Sequence, residues 1–114
     1  MNWPNDADGD VFRRLEEKNF DFDSTVQVDF NIDFDHWPLS KEEQEFVKGL
    51  YPNSELIDPD EEDIEAGDDM GYVQFQVVGK LTYELVIEVQ GAVTNQMRQI
   101  GGVCESWGVM QEGA

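Results

Sequence analysis

Cations are what this chain has least of. Seven Lys and Arg stand against 26 Asp and Glu, which with one uncharged His gives a formal net charge of -19. Such a surface repels nucleic acid and attracts cations, basic proteins and basic peptides, so direct RNA or DNA binding is not expected. Cysteine is nearly absent: Cys104 stands alone, which rules out an intramolecular disulfide and fits a reducing compartment, the cytoplasm by default. The one histidine, His36, excludes a histidine pair and a Cys/His zinc site. No apolar run approaches the length of a membrane span, and the opening Met-Asn-Trp-Pro-Asn-Asp-Ala-Asp has neither a basic nor an apolar leader segment. Neither membrane insertion nor classical export is therefore expected. A Gly-rich phosphate loop is missing as well, since Gly79, Gly101, Gly102 and Gly108 read as turn or cap positions.

What is present suffices for a fold. In 114 residues, 39% hydrophobic and 11% aromatic content can build one core, so a single domain over residues 1–114 is expected. Solubility is the simplest account of the charge, but its distribution asks for more. Residues 26–35 alternate without a fault, Val26, Val28, Phe30, Ile32 and Phe34 against Gln27, Asp29, Asn31, Asp33 and Asp35. A period of two marks a strand with one buried face, and the other face here is a comb of oxygen-bearing side chains with no cation among them.

Other elements follow from caps and spacing. Asp6 to Asp10 leads into Val11, Phe12 and Leu15, an acid-capped short helix. Ser40 with Glu43 is a capping box for a helix from about 41 to 51 with Phe46, Val47 and Leu50 inward. Glu55 to Ile57 reads as a short strand, Asp58 to Asp69 as a loop with eight acids and no base, and Tyr72 to Val78 as an alternating strand. Leu85 to Val89 is β-branched and suits a hairpin arm. Yet Val86, Val89, Val93, Met97 and Ile100 recur at spacings of three and four behind Thr82, which predicts a helix stopped by Gly101-Gly102. Val103 to Val109 then closes the order as helix plus βαββαβ, a ferredoxin-like α+β fold with an antiparallel sheet and an additional N-terminal helix. Helices cover one face of such a sheet, which leaves the comb on the other face beside Gln74 and Gln76.

Catalytic and metal chemistry find little support. Asp6, Asp8, Asp10 and Glu17 match four positions of a calcium loop, but Val11 stands where that loop needs Gly, and helix capping explains the acids better. No metal, cofactor or catalytic residue is assigned. The candidate partner-binding residues are Asp29, Asn31, Asp33 and Asp35, with Trp107 joining them if Val103, Glu105, Trp107 and Val109 line the open face. If that strand is turned the other way, Trp107 is core.

Three stretches carry a resemblance: Trp3 to Val11, Val26 to Phe34, and Gly101-Gly102-Val103-Cys104-Glu105-Ser106-Trp107-Gly108. Together they resemble the regulator of ribonuclease E activity B (RraB) family over nearly the whole chain. The family motif at the end is closer to Gly-Gly-x-Tyr-Asp-Gly-Trp, so Cys104, Glu105 and Ser106 depart from it. The resemblance implies an acidic bacterial cytoplasmic protein without enzyme activity that binds ribonuclease E at its Arg-rich scaffold region. It transfers no site residue. The expected partner is thus a basic protein, with ribonuclease E the one the resemblance names. An immunity or antitoxin-type inhibitor of another basic nuclease fits the same charge, and a carboxylate metal-binding protein is the third reading.

Overall fold

The computed structural model describes residues 3–109. Its elements are α1 (Ala7–Glu17), β1 (Thr25–Phe34), α2 (Lys41–Leu50), β2 (Glu55–Ile57), α3 (Glu61–Glu65), β3 (Tyr72–Lys80), α4 (Tyr83–Met97), a 3-10 turn (Arg98–Ile100) and β4 (Gly102–Val109). Local chemistry sets the helix starts. Asp6 accepts the Gly9 N–H at 2.7 Å, Ser40 and Glu43 bond reciprocally, and Thr82 accepts the Leu85 N–H at 3.0 Å. Each bond satisfies an N–H that the first helical turn leaves without a partner. At the far end of α4, Gly101 takes φ 79°, a left-handed conformation that favours glycine, and the chain turns into β4.

The strands form one sheet in the order β2-β3-β1-β4, and every neighbouring pair is antiparallel. The connection through α2 passes over β3, and that through α4 passes over β1, so the sheet is two interleaved split βαβ units. This is an α+β architecture with a leading helix, as the pattern of caps and periods predicts. One correction concerns residues 58–69: the acidic loop contains the short helix α3, because Asp60 and Asp63 cap each other's backbone.

The apolar teeth of β1 lie in the core. Val28, Phe30 and Ile32 are fully buried, with Phe34 nearly so, against Val73 and Phe75 of β3, Val47 of α2, and Val86, Val93 and Met97 of α4. Helix α1 sits on this same side. Its Phe12 is fully buried with its ring 5.3 Å from Trp107, while Asp8 accepts Nε1–H of Trp107 at 2.8 Å and Nε2–H of Gln90 at 3.3 Å. The second face of the sheet is left open among the described residues.

Asp8 accordingly has a structural task. Asp8→Ala leaves two part-buried donors unpaired, and a loss of about 1–3 kcal/mol is expected in urea unfolding. A variant as stable as the parent would show that water replaces the carboxylate at no cost.

Candidate functional site

Register places the comb residues of β1. Asp29 lies between Gln76 and Gly108, Asn31 between Gln74 and Ser106, and Asp33 between Tyr72 and Val103. Asn31 is held at both ends of its amide: Oδ1 accepts from Gln74 Nε2 at 3.1 Å, and Nδ2 donates to Ser106 Oγ at 3.2 Å. It therefore acts as a fixed polar tie across three strands, with the carboxylates of Asp29 and Asp33 on either side. Asp33 is partly desolvated, and that burial, reinforced by the like charge of Glu105, raises its pKa above the usual carboxylate value. Asp35 lies just past the strand, with its carboxylate against Gly101 and bonded to His36.

Trp107 is not beside the comb. The pairing of β4 with β1 slips between Asn31 and Ile32, so that Ser106 faces Asn31, Cys104 faces Ile32 and Glu105 is the extra residue. A bulge of one residue reverses the faces that follow it. Trp107 thereby pairs with Phe30 and enters the helix side, where it meets Phe12 and Asp8. The open-face arrangement considered for Trp107 is corrected on this ground. Cys104 shares the buried side, and its burial pushes the thiol up to about 12, which leaves little reactive thiolate.

At the exit of β1, His36 bridges two acids. Its Nδ1 lies 2.5 Å from Asp35 Oδ1 and its Nε2 2.9 Å from Glu43 Oε1, so it joins the comb's end to the capping box of α2. The hydrogen bond to Asp35, then that to Glu43, raises the His36 pKa. A raised native pKa means that the stabilising contribution is complete below the unfolded value of about 6.5 and is lost as pH rises through the native value. The Tm gap between the parent and His36→Ala is expected to be larger near about pH 6 than near about pH 9. An equal gap at both values would show that the imidazole acts by packing alone.

The acidic loop meets the comb. Trp37 Nε1 donates to Asp58 Oδ1 at 2.9 Å, and β2 pairs with β3, which brings the start of the loop beside Asp33 and Tyr72. Gly71 is required at this junction, because any Cβ there would collide with the Ile57 carbonyl and the Trp37 ring. Between comb and loop lies a cavity of about 460 Å³. Asp33, Asp58, Asp60, Asp63 and Asp68 contribute exposed carboxylates, while Ile57, Met70 and Tyr72 are half-buried and Phe34 is buried. Acid thus stands at the rim, with apolar surface below. Among the described residues no three such ligands draw close enough to hold a metal ion. The sequence does show the acids of comb and loop, but not that they border one cavity. That depends on the pairing of β2 with β3 and on a Trp-Asp bond across 21 positions.

A family model described as Regulator of ribonuclease activity B matches residues 5–109. A comparison with curated proteins gives no match.

Proposed function

This chain belongs to the RraB family, regulators of ribonuclease activity, and from that premise we propose that it acts as a non-enzymatic inhibitor by holding a basic, RNA-binding segment of its target on its acidic sheet face. The target named by the resemblance is ribonuclease E, met in the cytoplasm at its Arg-rich scaffold. The carrying observation is the sheet face, open among the described residues, on which Asp29 and Asp33 flank a fixed Asn31 and which ends at the acid-rimmed cavity. Among the described residues, no helix is long and apolar enough to cross a membrane.

The physics of such a contact is competition for cations. Lys and Arg groups that would hold phosphate are instead held by carboxylates, so bound RNA is displaced or kept away. A net charge of -19 steers a basic partner inward over long range and speeds encounter. The comb's carboxylates are already ordered on a sheet, so less entropy is lost on binding than a flexible acidic tail would lose.

Calorimetry with the ribonuclease E scaffold fragment tests this reading. Binding is expected at low salt and should weaken by at least about tenfold when ionic strength rises to several tenths molar, where the Debye length falls to only a few Å. Added RNA should compete. No binding at low salt eliminates this partner, and salt-insensitive binding eliminates the acidic face as the contact.

A further inference from the structure

The cavity between comb and loop has a lining that selects its guest. Among the described residues its five carboxylates meet no counter-ion: Arg13 pairs with Asp10, and His36 with Asp35 and Glu43, all outside the cavity lining. Among the described residues four of these acids accept from neutral donors, Asp58 from Trp37 Nε1, Asp60 and Asp63 from backbone N–H groups, and Asp68 from the Met70 N–H. Carboxylates in this state retain free acceptor positions for a cation.

The cation's shape follows from the spread of the acids. Since no three of them converge as metal ligands do, a small ion would satisfy few of them. Ile57, Met70 and Tyr72, half-buried in the same lining, offer surface on which an apolar stem can pack. Lysine has such a stem but ends in a compact ammonium. The guanidinium of arginine is broad and planar, carries five N–H donors in a fixed fork, is less strongly hydrated, and stacks on an aromatic face.

We propose that the cavity is an arginine socket, which receives one arginine side chain from a basic partner segment lying extended along the open sheet face. The socket rests on the reading of that face as the surface for a basic partner and specifies the anchor. It also specifies spacing. Asp29 lies four residues from Asp33 on the same strand face, roughly 13 Å away at about 3.3 Å per residue. A second cation four residues from the anchoring arginine in an extended partner would therefore reach Asp29.

NMR can follow two indole N–H signals, that of Trp37 on Asp58 at the cavity wall and that of Trp107 on Asp8 on the opposite face. The probes are capped Gly-Gly-Arg-Gly-Gly and its Lys and citrulline counterparts, titrated at low salt. The Arg peptide is expected to shift the Trp37 signal saturably and the Trp107 signal hardly at all, with at least about threefold tighter binding than the Lys peptide and no saturation by citrulline. Asp33→Asn and Asp63→Asn should each weaken the Arg peptide by at least about threefold, and Asp29→Asn by less than about 1.5-fold.

Equal affinity for Arg and Lys, an unmoved Trp37 signal, or equal effects of the Asp29 and Asp33 changes would overturn the socket. The scaffold fragment separates this inference from the broader one. If the fragment binds while the Arg peptide leaves Trp37 unmoved, the socket is refuted and the regulator reading stands. If the peptide seats as described and the fragment fails to bind at low salt, the socket is supported and ribonuclease E is rejected.

Discussion

Changing Asp33, Asp58 and Asp63 together to asparagine is expected to weaken a basic partner by at least about tenfold at low salt, equivalent to about 1.4 kcal/mol. The size follows from three exposed pairs at about 0.2–1 kcal/mol each, with Asp33 at the upper end because it is partly desolvated. Folding should respond in the opposite sense. Asparagine keeps a side-chain oxygen for the Trp37 indole and for the Asp60 N–H, so the bonds that shape the loop survive. Three negative charges leave a chain of net charge -19, which relieves self-repulsion. Tm is expected to hold or rise by about 1–4 °C. Affinity falling while stability holds or rises is the signature of acids retained for binding at some cost to the fold. A Tm several degrees lower would mean that these carboxylates are structural, and unchanged affinity would move the contact elsewhere.

Elements with a local cause are legible in the sequence. Alternation alone separates Phe30 from Asp29, and the caps at Asp6, Ser40 and Thr82 lie within three residues of the N–H groups they satisfy. Even the β-branched start of α4 yields to the longer 3.6-residue period through Met97. Features resting on distant pairs were not legible in this way. Trp107 changes face because of one extra residue at Glu105, and a strand with a bulge has the same amino-acid alternation as one without. Its hydrogen bond to Asp8 spans 99 positions. The sequence shows the acids of comb and loop as two separate runs, yet the fold makes them neighbours. Their proximity comes from the pairing of β2 with β3 and from Trp37 reaching Asp58, neither of which leaves a periodic trace.

Phe30→Ala should cost about 3–5 kcal/mol, read as a lower urea midpoint at unchanged slope. Phe30 is fully buried on the inner strand β1, stacks on Phe75 at 5.5 Å, and lies opposite Trp107 in the register with β4. Alanine leaves a void between neighbours from both adjoining strands, which the sheet's hydrogen bonds prevent from closing fully. For a domain whose whole stability is about 5–15 kcal/mol, that is a large share. One position earlier the expectation is different. Asp29 faces outward and among the described residues has one long contact, from Gln27 Nε2 at 3.4 Å, so Asp29→Ala should change stability by no more than about 0.5 kcal/mol. At low salt the same change should weaken a long basic partner that reaches past Asp33. Phe30→Ala, measured on its folded fraction, should bind that partner like the parent. Adjacent residues of one strand would then divide the work, the inward side chain setting stability and the outward one affinity. If Asp29→Ala destabilised the chain as Phe30→Ala does, the face bearing the comb could not be open, and the contact with a basic partner would lose its surface.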